Sequence, residues 1–277
     1  MCPSAVQYNI SMRRIDSHVH IFPEKVAQKA TQKLTIPGVH HPHYDGTLEG
    51  LIASMDRFDI EKSWALPVAT SASQVESINN FVESITTDRI VKFGAIHPDV
   101  EDAYETLSHF RERGFVGFKM HPDYQMFVPN EARMEPIWRA AEDFNLIAYF
   151  HAGDDMLPRT KFGTPKIFAE CLDAYPKARV ALAHFGGFAM WDDVEEYLIG
   201  RDVWLDTAYT LSHLDHARFV DMARRHGFDH VMFGTDGPWT DPARDLAWFE
   251  EFGLTDQEKE QLFWKTSEDL LALVAPK

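Results

Sequence analysis

IDSHVHIFP, residues 15–23, has the apolar run of a strand but carries His18 and His20 one residue apart. Successive side chains of a strand point to opposite faces, so Asp16, His18 and His20 point the same way if the run is extended. Two imidazoles side by side are either part of a metal site or two polar residues at a strand end. The same stretch bears on the fold. A doubly wound open sheet opens with a Gly-rich phosphate turn after its first strand, and here HVHIFP stands in that place.

Working outward, short apolar runs of strand length recur along the chain. They are RRIDSHV (13–19), SWALPV (63–68), VKFGAI (91–96), FVGFKM (115–120), LIAYF (146–150), RVALAH (179–184), VWLDTA (203–208) and HVMFGTD (230–236). Amphipathic segments with helix signals lie between them. Thr164-Pro165 and Asp241-Pro242 each offer an N-cap followed by proline at the first helical position. Thr255 and Glu258 are spaced as a capping box, and Gly114 and Gly227 follow basic residues where helices end. Strands alternating with helices imply βαβ units and a parallel sheet. Eight such units in 277 residues match the roughly 250 residues of a (β/α)8 TIM barrel. The fold class expected is therefore α/β, a single-domain barrel over residues 13–277 after an N-terminal extension over 1–12. No linker rich in Pro, Gly or Ser divides it.

Asp and Glu outnumber Lys and Arg by 43 to 27, a formal charge of −16, which argues against nucleic acid and anionic membranes as partners. A small-molecule substrate is expected instead, and a homo-oligomer stays open. Cys2 and Cys171 form neither a disulfide framework nor a CxxC knuckle, which fits a reducing cytoplasm. No secretion signal is read near Cys2, and no apolar stretch reaches the 18 residues of a membrane span.

The active sites of such barrels lie at the carboxyl ends of the strands, so the residue ending each strand is informative. Strand one ends with His18 and His20, strand four with Lys119 and His121, strand five with His151, strand six with His184, and strand eight with Asp236. Strand seven carries Asp206 just before its end, and His97 in HPD after strand three fits a turn cap. Imidazole and carboxylate are common zinc ligands, and a catalytic metal keeps one position open. Histidines and an aspartate converging on one barrel mouth therefore point to a catalytic metal site. Glycines in HAG (151–153), HFGG (184–187) and TDG (235–237) let the backbone turn away above it.

Taken in order, IDSHVHIFP, GFVGFKMHPDYQ (114–125), YFHAGDD (149–155), LAHFGG (182–187), WLDTAY (204–209) and FGTDGPW (233–239) resemble the amidohydrolase superfamily. The resemblance is to its amidohydrolase-related (amidohydrolase 2) branch, which also contains aminocarboxymuconate-semialdehyde and resorcylate-type decarboxylases. It implies that His18, His20, His151 and Asp236 bind a divalent metal, most often one Zn2+, with His184 beside the open position. Lys119 stands where many superfamily members carry a carboxylated lysine bridging a second metal, although one metal is commoner in this branch. Lys119 and His121 are thus candidates for a second metal or for contact with substrate.

The first function expected is hydrolysis of an ester, lactone or amide by a metal-activated water, with Asp236 moving the proton and His184 polarising the carbonyl. The alternative is non-oxidative decarboxylation of a small aromatic or unsaturated acid, with Asp236 or His184 managing a proton at carbon. That reaction needs a cation for the carboxylate, for which Arg159 and Arg244 are candidates. Decarboxylases of this branch are expected to be longer, and the compact chain tips the expectation toward hydrolysis. Phe188 and Trp239 are expected to form a pocket wall. The tract HHPHYDG (40–46) is expected to lie as a loop over the barrel mouth.

Overall fold

The computed structural model describes residues 12–35, 41–155 and 160–275. The eight apolar runs form eight parallel strands in sequence order: β1 (Ile15–Val19), β2 (Lys62–Ala65), β3 (Ile90–Ala95), β4 (Gly117–Met120), β5 (Ile147–Phe150), β6 (Arg179–Leu182), β7 (Trp204–Asp206) and β8 (Val231–Met232). The seam between β8 and β1 is joined by Ser17 N–H to Phe233 O at 2.8 Å and Asp236 N–H to His18 O at 2.9 Å. The chain is a single-domain (β/α)8 barrel, as expected. Apart from Met12, the expected extension over 1–12 lies outside the described residues.

Helix starts follow the caps read from sequence. Thr164 Oγ1 accepts the Ile167 N–H, Asp241 Oδ1 accepts the Ala243 N–H, and Thr255 and Glu258 close a reciprocal capping box. Such caps contribute about 1 kcal/mol each, and they set where each helix begins its return along the barrel.

Two apolar layers result. Inside the barrel, Trp64 stacks on Phe93 with centroids 5.3 Å apart, and Tyr149 meets both edge-on. Leu270 and Val274 of the last helix, Thr266–Val274, join this interior cluster with Ile15 and Met232. Outside it, Phe150 packs on Trp138 and Phe168 beneath the helices. The barrel floor is thus filled with side chains. No helix among the described residues is long and apolar enough to cross a membrane.

β1 departs from simple alternation. Asp16 pairs with Ser63 but Val19 pairs with Ala65, so Ser17 and His18 together oppose Trp64. This bulge removes Asp16 from the face it was expected to share with the histidines. Its carboxylate turns to Thr235, accepting the side-chain hydroxyl at 2.6 Å and the backbone N–H at 3.0 Å, together with the N–H of His18 at 3.1 Å. Asp16 therefore ties β1 to the turn after β8.

Candidate active site

His18 and His20 leave β1 with their Nε2 atoms 3.2 Å apart, and Asp236 Oδ1 lies 3.4 Å from the first and 3.1 Å from the second. The other nitrogen of each ring is committed. His20 Nδ1 faces the Leu66 carbonyl at 2.9 Å, and a carbonyl only accepts, so Nδ1 carries the proton. His18 Nδ1 faces Asp206 Oδ2 at 2.7 Å and is a donor for the same reason. Both Nε2 atoms therefore present lone pairs, and with the carboxylate oxygen they make three acceptors converging on one point. Burial, and next the charge of Lys119, holds His18 well below the usual imidazole range, so it stays a neutral ligand. This donor set fits a divalent metal ion.

His151 was expected to complete that set. In the structure its Nδ1 lies 3.0 Å from Nε2 of His184, and its ligand atoms group instead with those of His121 and Asp155. The same logic fixes these tautomers. His151 Nε2 donates to Asp154 O at 3.1 Å, and His184 Nδ1 donates to Ala208 O at 2.9 Å. Two lone pairs then meet at 3.0 Å, a contact that needs a cation, either a proton or a metal ion. His121 stacks on His151 with centroids 3.9 Å apart, and its Nε2 bonds Asp155 Oδ2 at 3.0 Å. Its Nδ1 accepts the Tyr124 N–H, so it also fixes the HPDYQ turn.

The backbone is bent to present these groups. His184 and Asp236 both adopt left-handed conformations, with φ of 58° and 60°. Such conformations cost a non-glycine residue about 1 kcal/mol or more, and the surrounding bonds hold them. Asp206 supplies several of those bonds. Its Oδ1 accepts the N–H groups of His184 and Ala208 at 2.8 and 3.0 Å, and its Oδ2 accepts from His18 and from the Tyr149 hydroxyl at 2.5 Å. The two backbone N–H groups can only donate, which fixes Oδ1 as an acceptor, while burial pushes the Asp206 carboxyl above the usual carboxylate range. Sequence reading placed Asp206 at its strand end but missed this anchoring role. It missed Tyr149 and Asp155 entirely, because a tyrosine within a strand and an aspartate in a loop carry no pattern of their own.

The histidines, with Asp155 and Asp236, line a cavity of about 700 Å³ at the carboxyl ends of the strands. Phe188 and Trp239 stand in its wall with Leu66, Ile21 and Tyr209. Lys119 is buried beside it, its ammonium 4.7 Å from the Tyr149 ring centroid and without a hydrogen-bond partner. Arg244 lies elsewhere, stacked on Trp248 at 4.9 Å, and Arg159 is outside the described residues. Of the histidine-rich tract, Tyr44 donates to His20 O at 2.9 Å and the His43 N–H donates to Pro238 O at 2.8 Å. The described part of that tract thus lies along the rim, and His40 is outside the described residues.

The amidohydrolase family model matches residues 15–273, and the chain belongs to that family. None of the curated proteins matches the sequence. Among solved structures, a dihydroxybenzoic acid decarboxylase from Polaromonas sp., with bound manganese and the inhibitor 2-nitroresorcinol, superposes with a TM-score of 0.73 at 16% identity, over 96% of this chain and 98% of its own. A 5-carboxyvanillate decarboxylase from Novosphingobium aromaticivorans, complexed with manganese and 4-hydroxy-3-methoxy-5-nitrobenzoic acid, gives 0.73 at 16% identity over 95% and 97%. A 2,6-dihydroxybenzoate decarboxylase complexed with 2,6-dihydroxybenzoate gives 0.72 at 16% identity over 94% and 99%. At such identities the likeness carries the barrel.

These matches correct the expectation of ester, lactone or amide hydrolysis. That expectation leaned on length, with decarboxylases taken to be longer. This chain covers 97–99% of the three similar enzymes, so compactness does not separate the reactions, and the activity each of the three is named for is decarboxylation. The metal in two of these three structures is manganese, where zinc was expected for this chain.

Proposed function

We propose that this protein is a metal-dependent, non-oxidative decarboxylase of a small aromatic or unsaturated carboxylic acid. The observation that carries the reading is the convergence of three acceptor atoms, from His18, His20 and Asp236, at the mouth of a cavity with an apolar wall and one buried ammonium. The names of the similar structures support it. The metal proposed is one divalent ion, manganese or zinc, which His18, His20 and Asp236 would hold. When bound, the ion supplies a Lewis acid that draws oxygen atoms of the substrate and offsets their charge.

The chain's own residues do the rest. Leu66, Phe188 and Trp239 hold the unsaturated part of the acid and keep water from the carboxylate. A carboxylate stripped of water loses CO2 more readily, because its charge disperses as the carbon–carbon bond breaks. The electron pair of that bond passes to carbon, CO2 leaves, and carbon takes a proton that comes from water. Asp236 and His184 are the groups placed to carry that proton.

The test is release of CO2 by manganese- or zinc-loaded protein from a panel of hydroxybenzoates and unsaturated acids. Asp236→Asn should lower the rate at least about 100-fold, the usual loss for a positioned proton carrier. No CO2 from any acid in the panel, or full activity in Asp236→Asn, would refute the reading.

A further inference from the structure

The cavity has room for more than the ring of a simple aromatic acid. A single ring fills about 150 Å³, whereas the cavity holds about 700 Å³. Besides the ligand cluster, the elements after β1, β2 and β4 line it with apolar residues. These are Phe22 after β1, Ala30 and Leu34 on the helix Glu24–Leu34, Pro67 and Val68 after β2, and Met126 in the turn after β4. None of the six carries a polar side-chain group. The helix is buried at Ala27 and Thr31 and turns another face, Ala30, Lys33 and Leu34, to the cavity. Those three are spaced i, i+3, i+4 and so lie on one side of the helix. Met126 is 58% exposed and its backbone is left-handed, with φ of 55°. That conformation is unfavourable for a residue with a Cβ. It is held by Arg133 Nη2 donating to Met126 O at 2.6 Å and by the Phe127 N–H donating to Pro122 O at 3.1 Å. The fold thus spends strain to keep a flexible apolar side chain at the rim, where it can shape itself to an irregular partner.

We propose that this apolar arm is a specificity subsite, and that it holds an uncharged alkyl chain or second ring carried by the acid remote from its carboxylate. The proposal rests on the decarboxylase reading above, which puts the carboxylate end beside His18, His20 and Asp236. A substituent para to the carboxylate then points away from those groups. Each methylene that leaves water for the arm gains affinity as apolar surface is buried. A charged or hydrogen-bonding substituent would lose its water with nothing among the six residues to replace it. Lys33 and Met126 are both exposed, so the arm opens to solvent and sets no sharp limit on chain length. Contacts of this kind orient the acid without touching the reacting atoms.

The test is equilibrium binding to manganese-loaded full-length protein, measured by calorimetry with benzoate and its 4-ethyl, 4-butyl and 4-hexyl derivatives. Wild type should bind more tightly along the series, by about two- to fourfold per methylene. Ala30→Trp, which fills the arm, should weaken 4-hexylbenzoate at least about tenfold and change benzoate less than about threefold. Met126→Gln, at an exposed position, serves if the tryptophan variant does not fold, and should weaken the hexyl acid about three- to tenfold. The absence of any gain with chain length in wild type, whether binding is equal or undetectable throughout, would overturn the proposal without a variant. A gain that persists unchanged in the folded variants would overturn it too, because the chain would then lie outside the arm. CO2 release is measured separately, from 2-hydroxybenzoates bearing the same chains. A gain with chain length but no CO2 would sink the decarboxylase reading alone, and CO2 release with no dependence of binding on chain length would sink the role of the arm alone.

Discussion

Replacing Asp206 with asparagine should cost metal affinity far more than it costs folding. The carboxylate accepts two hydrogen bonds on each oxygen, from His184 N–H and Ala208 N–H on one side and from His18 Nδ1 and the Tyr149 hydroxyl on the other. Asparagine has one accepting oxygen. If its NH2 faces the two backbone N–H groups, two buried donors lose their acceptor, at about 1–3 kcal/mol each. If it faces His18 and Tyr149, the hydroxyl can rotate to accept, and only the histidine must change. The second arrangement is cheaper, and it moves the His18 proton from Nδ1 to Nε2, into the point shared with His20 and Asp236. The charge-assisted bond lost in this way is worth about 1.5–3 kcal/mol, or roughly 10- to 150-fold in affinity. Competition with a chelator for Mn2+ at pH 7.5 measures this directly, and the thermal midpoint of metal-free protein controls for folding. Affinity in Asp206→Asn within threefold of wild type would show that the Asp206–His18 bond does not set the tautomer.

Two further perturbations probe the scaffold. Gly153, with φ of 89°, brings the loop after β5 against the loop after β6, and a Cβ there would lie 2.1 Å from the Phe188 nitrogen. Gly153→Ala should therefore destabilise the protein by about 2 kcal/mol or more in denaturant unfolding, and an unchanged midpoint would contradict the close approach. His226, far from the cavity, donates to Val203 O and accepts the Gly200 N–H, and burial lowers it to about 4. Between pH 6.5 and 4 the unfolded chain binds a proton that the folded one refuses, so this contribution is complete above 6.5 and is lost as pH falls toward 4. From pH 7.5 to 4.5 wild type should lose up to about 2–3 kcal/mol more than His226→Gln, and equal losses would rule the residue out as a source of acid sensitivity.

The barrel was legible because each strand is a short apolar run and each helix start has its own chemical mark. Thr164-Pro165, Asp241-Pro242 and the Thr255–Glu258 box all cap where the pattern placed them. The site was legible to the extent that position on a barrel strand implies position in space, which placed His18, His20, His121, His151, His184, Lys119 and Asp236 around one cavity. Alternation failed at Asp16, because a bulge depends on how β1 registers against β2 and leaves no local signature. Length failed as a guide to the reaction, because enzymes of nearly the same span are named as decarboxylases.

The sequence by itself determined the alternation of elements, the closure of eight strands into one barrel and the nitrogen and oxygen chemistry at its mouth. Those properties are local, written in periodicity, caps and the residue that ends each strand. Only the tertiary structure decided how the ligands group: His18, His20 and Asp236 at one point, with His151 facing His184 across 3.0 Å. It alone decided that the ammonium of Lys119 is left without an acceptor. Both depend on side chains from strands far apart in the chain, whose tautomers and partners are set by carbonyls and carboxylates that only folding brings near.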